Sequence, residues 1–406
     1  MNWIRDNILK VVVILVVLIV LIVVVVACSS LNGGGEIDLS EGYLAYEDEL
    51  QNAAINYMRD NKKLLPAEID DSKRINYNTL VSDGYIKDLY ALEDGSTSCK
   101  GYVDVIKIGK KNYRYTPFIS CGKYYTTNTI ADYIINTETK DGKFVRKEGD
   151  GLYSEVTTKE VETTTDEETD DKKETVTSTD YYFRGEYPNN YLVIEDRLFR
   201  IISITSDSNL KIISIDQTED DYVWDDRYNI QEDDEVGIND FVKSRLYNEL
   251  EFIYDNQNED DGEIFFTSNE KDLIAKHDFC IGKVGSANSD INDDLVCSEK
   301  TSMRVGLINV VEYAKASLSS DCTGIFEKSC ANYNYFTSLN GNLYGNDYVT
   351  LTANADNTYE FYDISNYGTT STYAEYDGPL FPVVYLRSDA LYASGSGTLK
   401  DPYVVR

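Results

Sequence analysis

The sequence contains one histidine, two tryptophans and three methionines in 406 residues. The single imidazole is His277, in "AKHDFC" beside Cys280. A nucleophilic triad needs a base, and a lone histidine more often serves packing than catalysis. One histidine also cannot complete a zinc cluster of the usual kind, and no C-x-x-C occurs. No metal or cofactor is therefore expected. Positive charge is scarce too. Lysine and arginine number 38 against 71 aspartates and glutamates, giving a formal net charge of −33. Such a surface repels a phosphate backbone, so a nucleic-acid partner is not expected. It attracts cations and basic polymers, or is simply a solvated exterior. With so many acids, carboxylate pairs of the glycosidase type arise everywhere by chance and single out no site.

What the chain does have is one long apolar run, "KVVVILVVLIVLIVVVVACSS". From Val11 to Ala27 no side chain is polar, and as a helix this reaches roughly 26 Å, close to the hydrocarbon core of a bilayer. Arg5 and Lys10 precede it and acids follow, which places the N-terminus in the cytoplasm and the bulk outside. A retained transmembrane helix over 11–28 is the leading reading, with a cytoplasmic stub at 1–10 and a Gly-rich linker at 29–40. Two alternatives stay open. Val25-x-Ala27 has signal-peptidase spacing, and Val25-Val26-Ala27-Cys28 resembles a lipobox with Cys28 as lipid acceptor. All three export the chain. The expected location is the cell membrane, single-pass, with the C-terminal bulk extracellular.

Outside the run remain Cys99, Cys121, Cys280, Cys297, Cys322 and Cys330. In an oxidising compartment an even six predicts disulfides. Proximity suggests Cys99 with Cys121, Cys280 with Cys297, and Cys322 with Cys330, among 15 connectivities. Tyrosine is abundant, at 34 residues. Coding bias in an AT-rich genome explains that without any function; a tyrosine-rich contact surface is the alternative.

An amphipathic helix is predicted from Asp38 and Glu41 to Leu65-Pro66, with Tyr43, Tyr46, Leu50, Ala53, Ala54, Tyr57 and Met58 on one face. A short helix fits "NYNTLVS". A hairpin turning near Gly109-Lys110 is bracketed by Cys99 and Cys121. This order, with "YEDELQNAAINYM" and "LVSDGYIKDL", resembles the head of bacterial pilins and pseudopilins. The resemblance implies a small helix-plus-sheet domain over 41–133. The apolar run lacks the early glutamate of that family, and Gly33-Gly34-Gly35 breaks the rod, so an anchored head is expected rather than a polymer.

Residues 134–180 are threonine- and acid-rich and read as a solvated linker or a long hairpin, the Thr/Val alternation favouring the hairpin. A three-stranded meander follows in "YLVIEDRLFRIISITSDSNLKIISI". A helix is expected next, with Phe241, Val242, Leu246, Leu250 and Ile253 on one stripe. Further strands fit "YVTLTA", "NTYEFYDIS", "GPLFPVVYLRS" and "DPYVV". The fold class is α+β, with a larger antiparallel-sheet domain over 181–406. The phrases "YPNNYLVIEDRLFRIISI", "KSRLYNEL", "VGLINVVEYAKAS", "CANYNYF" and "FPVVYLRSDALYASGSGTLKDPYVV" resemble a Gram-positive-type surface-domain family of poorly defined function. That resemblance implies an architecture like C-type lectins or formylglycine-generating enzymes. Phe199 and Phe381 stand where that family has tryptophan and arginine.

The expected ligand site is the loop "DQTEDDYVWDDRYNIQEDDE". Tyr222, Trp224, Arg227 and Tyr228 lie there among carboxylates, a composition suited to sugars or cationic peptides. For Trp224 itself the favoured reading is that it plugs the core beneath the loop. "NSDINDD", residues 288–294, offers oxygen ligands for calcium, whereas "NQNEDDGEIFF" fails the EF-hand pattern. The function expected is non-enzymatic binding or adhesion at the cell surface, toward a glycan or protein. A pseudopilin-like assembly component and a carboxylate-dependent extracellular glycosidase are the alternatives.

Overall fold

Helix Ser40–Asp60 carries Tyr43, Glu47, Leu50, Ala53, Ala54 and Met58 on one buried face. The three- and four-residue steps between them set that stripe. The stripe packs on an antiparallel sheet of Ser72–Asn76, Lys100–Lys107 and Tyr113–Ser120. The computed structural model describes residues 39–140, 143–144, 149–163, 172–255, 265–337, 347–365 and 367–406. The stub, the apolar run at 11–28, Cys28 and all but the end of the linker lie outside the described residues. Among the described residues no helix is long and apolar enough to cross a membrane.

The stapled hairpin forms as expected: Cys99 and Cys121 are bonded and both buried. The strand Ser72–Asn76 was not expected, because Ile75 is its only large apolar residue; it alone of the five is buried. These pieces enclose one hydrophobic cluster.

A second, larger cluster fills the rest of the chain. Its frame is a ten-stranded sheet. Tyr191–Ile194, Arg197–Ile204 and Leu210–Ser214 form the meander, and Val383–Leu386 pairs with the last of these. Two short strands, Ile274–Ala275 and Val305–Gly306, lie against Val383–Leu386. The turn at Glu195-Asp196 needs a left-handed residue, supplied by Glu195 at φ 54°. Every residue of Leu210–Ser214 is buried, so both faces of the sheet are covered here. Helices Arg245–Asp255 and Val310–Ala316 contribute to that cover through Leu246, Leu250, Val310, Val311 and Ala314. A separate sheet joins Tyr348–Ala353, Glu360–Ser365 and Gly368–Tyr373.

The threonine-rich segment pairs as the hairpin that its alternation favoured, Gly151–Thr163 with Lys172–Arg184; what is corrected is its place, because it joins the large sheet where Tyr181 and Tyr182 face Ile204 and Ser203. The larger unit therefore begins well before residue 181. The expected boundary at 133 cuts through helix Ile130–Glu138, which buries Ile130, Ala131 and Ile134 together in the larger cluster. The sheet is not purely antiparallel, since Tyr403–Val405 runs parallel to Tyr191–Ile194. Val242 leaves the expected stripe: it sits in a 3-10 turn, Phe241–Lys243, and is exposed, while the α-helix begins at Arg245.

Charged side chains tie the two units together. Arg406 pairs with Glu47, which is fully buried on the first helix. Arg114 lies 3.4 Å from Asp389, whose carboxylate also accepts from Thr116. Arg304 and Arg387 converge on Asp70 at 3.2 and 2.6 Å. Glu47 also accepts from the Tyr125 hydroxyl at 2.8 Å and from Thr127. Replacing Glu47 with alanine strands these donors together. The expected loss is about 2–4 kcal/mol, measured by urea unfolding; a loss under about 0.5 kcal/mol would show that the junction does not depend on it.

Candidate functional site

The fully buried strand Leu210–Ser214 carries a lysine, Lys211, at only 2% exposure. A buried ammonium needs a partner. Glu312 provides it through a direct ion pair with the Lys211 Nζ. Phe279 and Tyr385 flank the ammonium, with ring centroids 5.1 and 5.3 Å away. Burial opposes the charge on Lys211, but Glu312 and the Tyr385 hydroxyl outweigh it, so its pKa is raised. Burial pushes the Tyr385 hydroxyl up to about 12.

Glu312 is placed by the start of its helix. The Asn309 Oδ1 accepts from the Val311 and Glu312 amides at 3.0 and 2.9 Å, and the Asn309 amide donates to Glu312 Oε2 at 3.1 Å. This reciprocal cap leaves Glu312 one oxygen for the helix and one for Lys211. One turn further on, Lys315 is held between Glu155, from the long hairpin at 2.7 Å, and Asp293. Tyr182 donates to the same Glu155. Burial works against the Lys315 charge too, and the Asp293 and Glu155 carboxylates again raise its pKa.

These groups surround a cavity of about 200 Å³. Three lysines, Lys211, Lys300 and Lys315, line it with four acids, Asp180, Asp278, Asp293 and Glu312. The wall is thus balanced to within one charge, on a chain of net charge −33. Its carboxylates are already engaged. Asp180 accepts from the Ser206 amide at 2.7 Å and Asp278 from the Ser302 hydroxyl at 2.5 Å. The Asp293 and Glu312 carboxylates hold lysines. One buried donor on this wall is unspent. Tyr335 lines the cavity, is fully buried, and its hydroxyl has no hydrogen-bond partner. Burial pushes that hydroxyl far above its ordinary pKa, so it stays protonated.

The single histidine is here as well. The His277 ring stacks on Tyr385 at 4.0 Å, and its Nε2 lies 3.7 Å from Asp207. His277, together with Thr205, holds the Asp207 carboxyl down at about 2, against the effect of partial burial. Among the described residues His277 makes no hydrogen bond to a serine or threonine hydroxyl, and the neighbouring Cys280 is tied up in a disulfide. The wall offers hydrogen-bonding groups and aromatic faces.

The residues singled out in the sequence do not form one surface. Trp224 has no exposed area; its Nε1 donates to the Thr350 carbonyl at 3.2 Å and its ring stacks on Phe361 at 5.7 Å. It cannot meet a surface ligand. Tyr222 is half-buried in a two-stranded ladder with residues 377–379. Arg227 folds back onto Asp225 at 2.8 Å, and Tyr228 is exposed and donates to Asp233. In "NSDINDD", Asn292 caps a short helix and Asp293 pairs with Lys315. Among the described residues no group of three or more His, Cys, Asp or Glu side chains could hold a metal ion. The three disulfides form as proximity suggested, at Cys99–Cys121, Cys280–Cys297 and Cys322–Cys330. Lys211, Glu312, Lys315, Tyr335 and Tyr385 were not anticipated; a lysine inside "LKIISI" and the Asn309-x-x-Glu312 pattern were the available signals. No family model, curated protein or solved structure matches the chain.

Two outcomes follow for this site. Glu312→Leu alone leaves the Lys211 ammonium buried and unpaired and is expected to cost about 3–5 kcal/mol; adding Lys211→Met recovers most of it, read as a double-mutant cycle by chemical denaturation. Because Asp207 titrates lower when folded, its stabilising effect is complete above the unfolded carboxylate value near 4 and fades as pH falls through about 2. An NMR titration of the Asp207 carboxyl that finds an ordinary value would remove the His277 contact from this account.

Proposed function

We propose that this protein is a membrane-tethered extracellular binding protein that holds one sugar residue of a surface glycan in the Lys211–Glu312 cavity. The carrying observation is the wall itself, balanced in charge, walled by tyrosines and bearing one unspent buried hydroxyl, Tyr335. A sugar hydroxyl both donates and accepts, and its ring presents an apolar face to an aromatic side chain. The cavity volume is below that of drug-sized sites, which run from about 300 Å³ upward, and so favours a single ring over an extended chain. Three disulfides agree with an exported, oxidising location. The apolar run at 11–28 supplies the tether in this reading, with a lipid on Cys28 as the other means of attachment. Adhesion is the corresponding role, and catalysis is not part of it.

The test is a glycan array probed with detergent-extracted full-length protein, followed by calorimetry on the best hit. Tyr335→Phe removes an unpartnered hydroxyl, so folding stability should hold or rise slightly. Sugar affinity should fall about 2- to 10-fold, the worth of one hydrogen bond. An array with no hit, or an affinity indifferent to Tyr335→Phe, would refute this assignment of the cavity.

A further inference from the structure

We propose that Cys280–Cys297 is the chain's site of thiol–disulfide exchange, open to a small dithiol through the cavity. Three observations carry this. Both cysteines line the cavity. Both are half-buried, whereas Cys99 and Cys121 are each at most 1% exposed, and in the third bridge only Cys322 is half-buried, its partner Cys330 being 0% exposed. The cross-strand partner of Cys280 is Lys300, an exposed lysine on the same cavity wall. Exchange requires an accessible sulfur and a leaving thiolate of low pKa, and a nearby ammonium lowers a thiol pKa.

The two sulfurs are not equivalent. Cys297 follows the short helix Asp293–Val296, and its amide donates to the Asp293 carbonyl at 2.8 Å, an end of the helix that does not favour a thiolate. Cys280, facing Lys300, is the better leaving group. The thiolate of the incoming dithiol therefore attacks the Cys297 sulfur. The protein S–S bond breaks, Cys280 departs as a thiolate and then takes a proton. The reagent's second thiol attacks the mixed disulfide, releases Cys297 as a thiol and closes the reagent into its own disulfide. Two electrons and two protons pass to the protein.

This inference does not rest on the sugar assignment, because its readout needs no ligand. Full-length protein is treated under native conditions with graded dithiothreitol, quenched with an alkylating reagent and mapped by peptide mass spectrometry. Cys280 and Cys297 should become alkylated at least about tenfold faster than the four cysteines of the other two disulfides. Lys300→Gln should slow that step about two- to fivefold and leave the other two disulfides unchanged. Simultaneous reduction of all three bridges, earlier opening of Cys322–Cys330, or indifference to Lys300→Gln would overturn it.

Discussion

The Lys211–Glu312 ion pair is the constraint around which the larger unit is organised. A charge in the middle of a strand buried on both faces is tolerable only if its counter-charge is delivered to the same spot. That delivery fixes the register of Leu210–Ser214, the start of helix Val310–Ala316 and the packing of Phe279 and Tyr385. Glu312 is shared between its helix cap and Lys211, so the helix cannot shift without breaking both. Lys315, one turn on, then finds Glu155 and Asp293, which brings the base of the long hairpin and the Cys280–Cys297 loop to the same cavity. The candidate site is thus a by-product of how the core resolves its buried charges.

The same logic operates between the two units. Arginines and carboxylates meet there in sets, and Glu47, Asp389 and Arg387 are each nearly or wholly buried. A chain with almost twice as many acids as bases places four of its thirteen arginines, Arg114, Arg304, Arg387 and Arg406, at this one seam. Exposed pairs would contribute little, but buried, hydrogen-bonded ones make relative orientation specific.

Much of the local structure was legible in the sequence. Alternation exposed the meander, the three- and four-residue spacing exposed the first helix, and near-neighbour cysteines exposed the disulfides. What escaped depended on distant partners. "SKRIN" has too few apolar residues to announce a strand, yet it pairs with the hairpin at Ile75–Val103. Lys211 looks like the polar half of an alternating strand, and only Glu312, about a hundred residues on, shows otherwise. Trp224, the most conspicuous aromatic in an acidic loop, turned inward because its indole N–H found a carbonyl in the core. The site residues shared this fate: each is ordinary in its own neighbourhood and becomes distinctive only through what lies opposite.

The parallel strand Tyr403–Val405 has a consequence for biogenesis. It lies beside Tyr191–Ile194, inside the sheet and not at its rim, with Tyr392–Ser394 beyond it. The slot next to Leu192 therefore stays vacant until some two hundred further residues have been synthesised, a large loop to close. The sheet is thus completed late in synthesis, after the early strands and the helices that cover them have already been made.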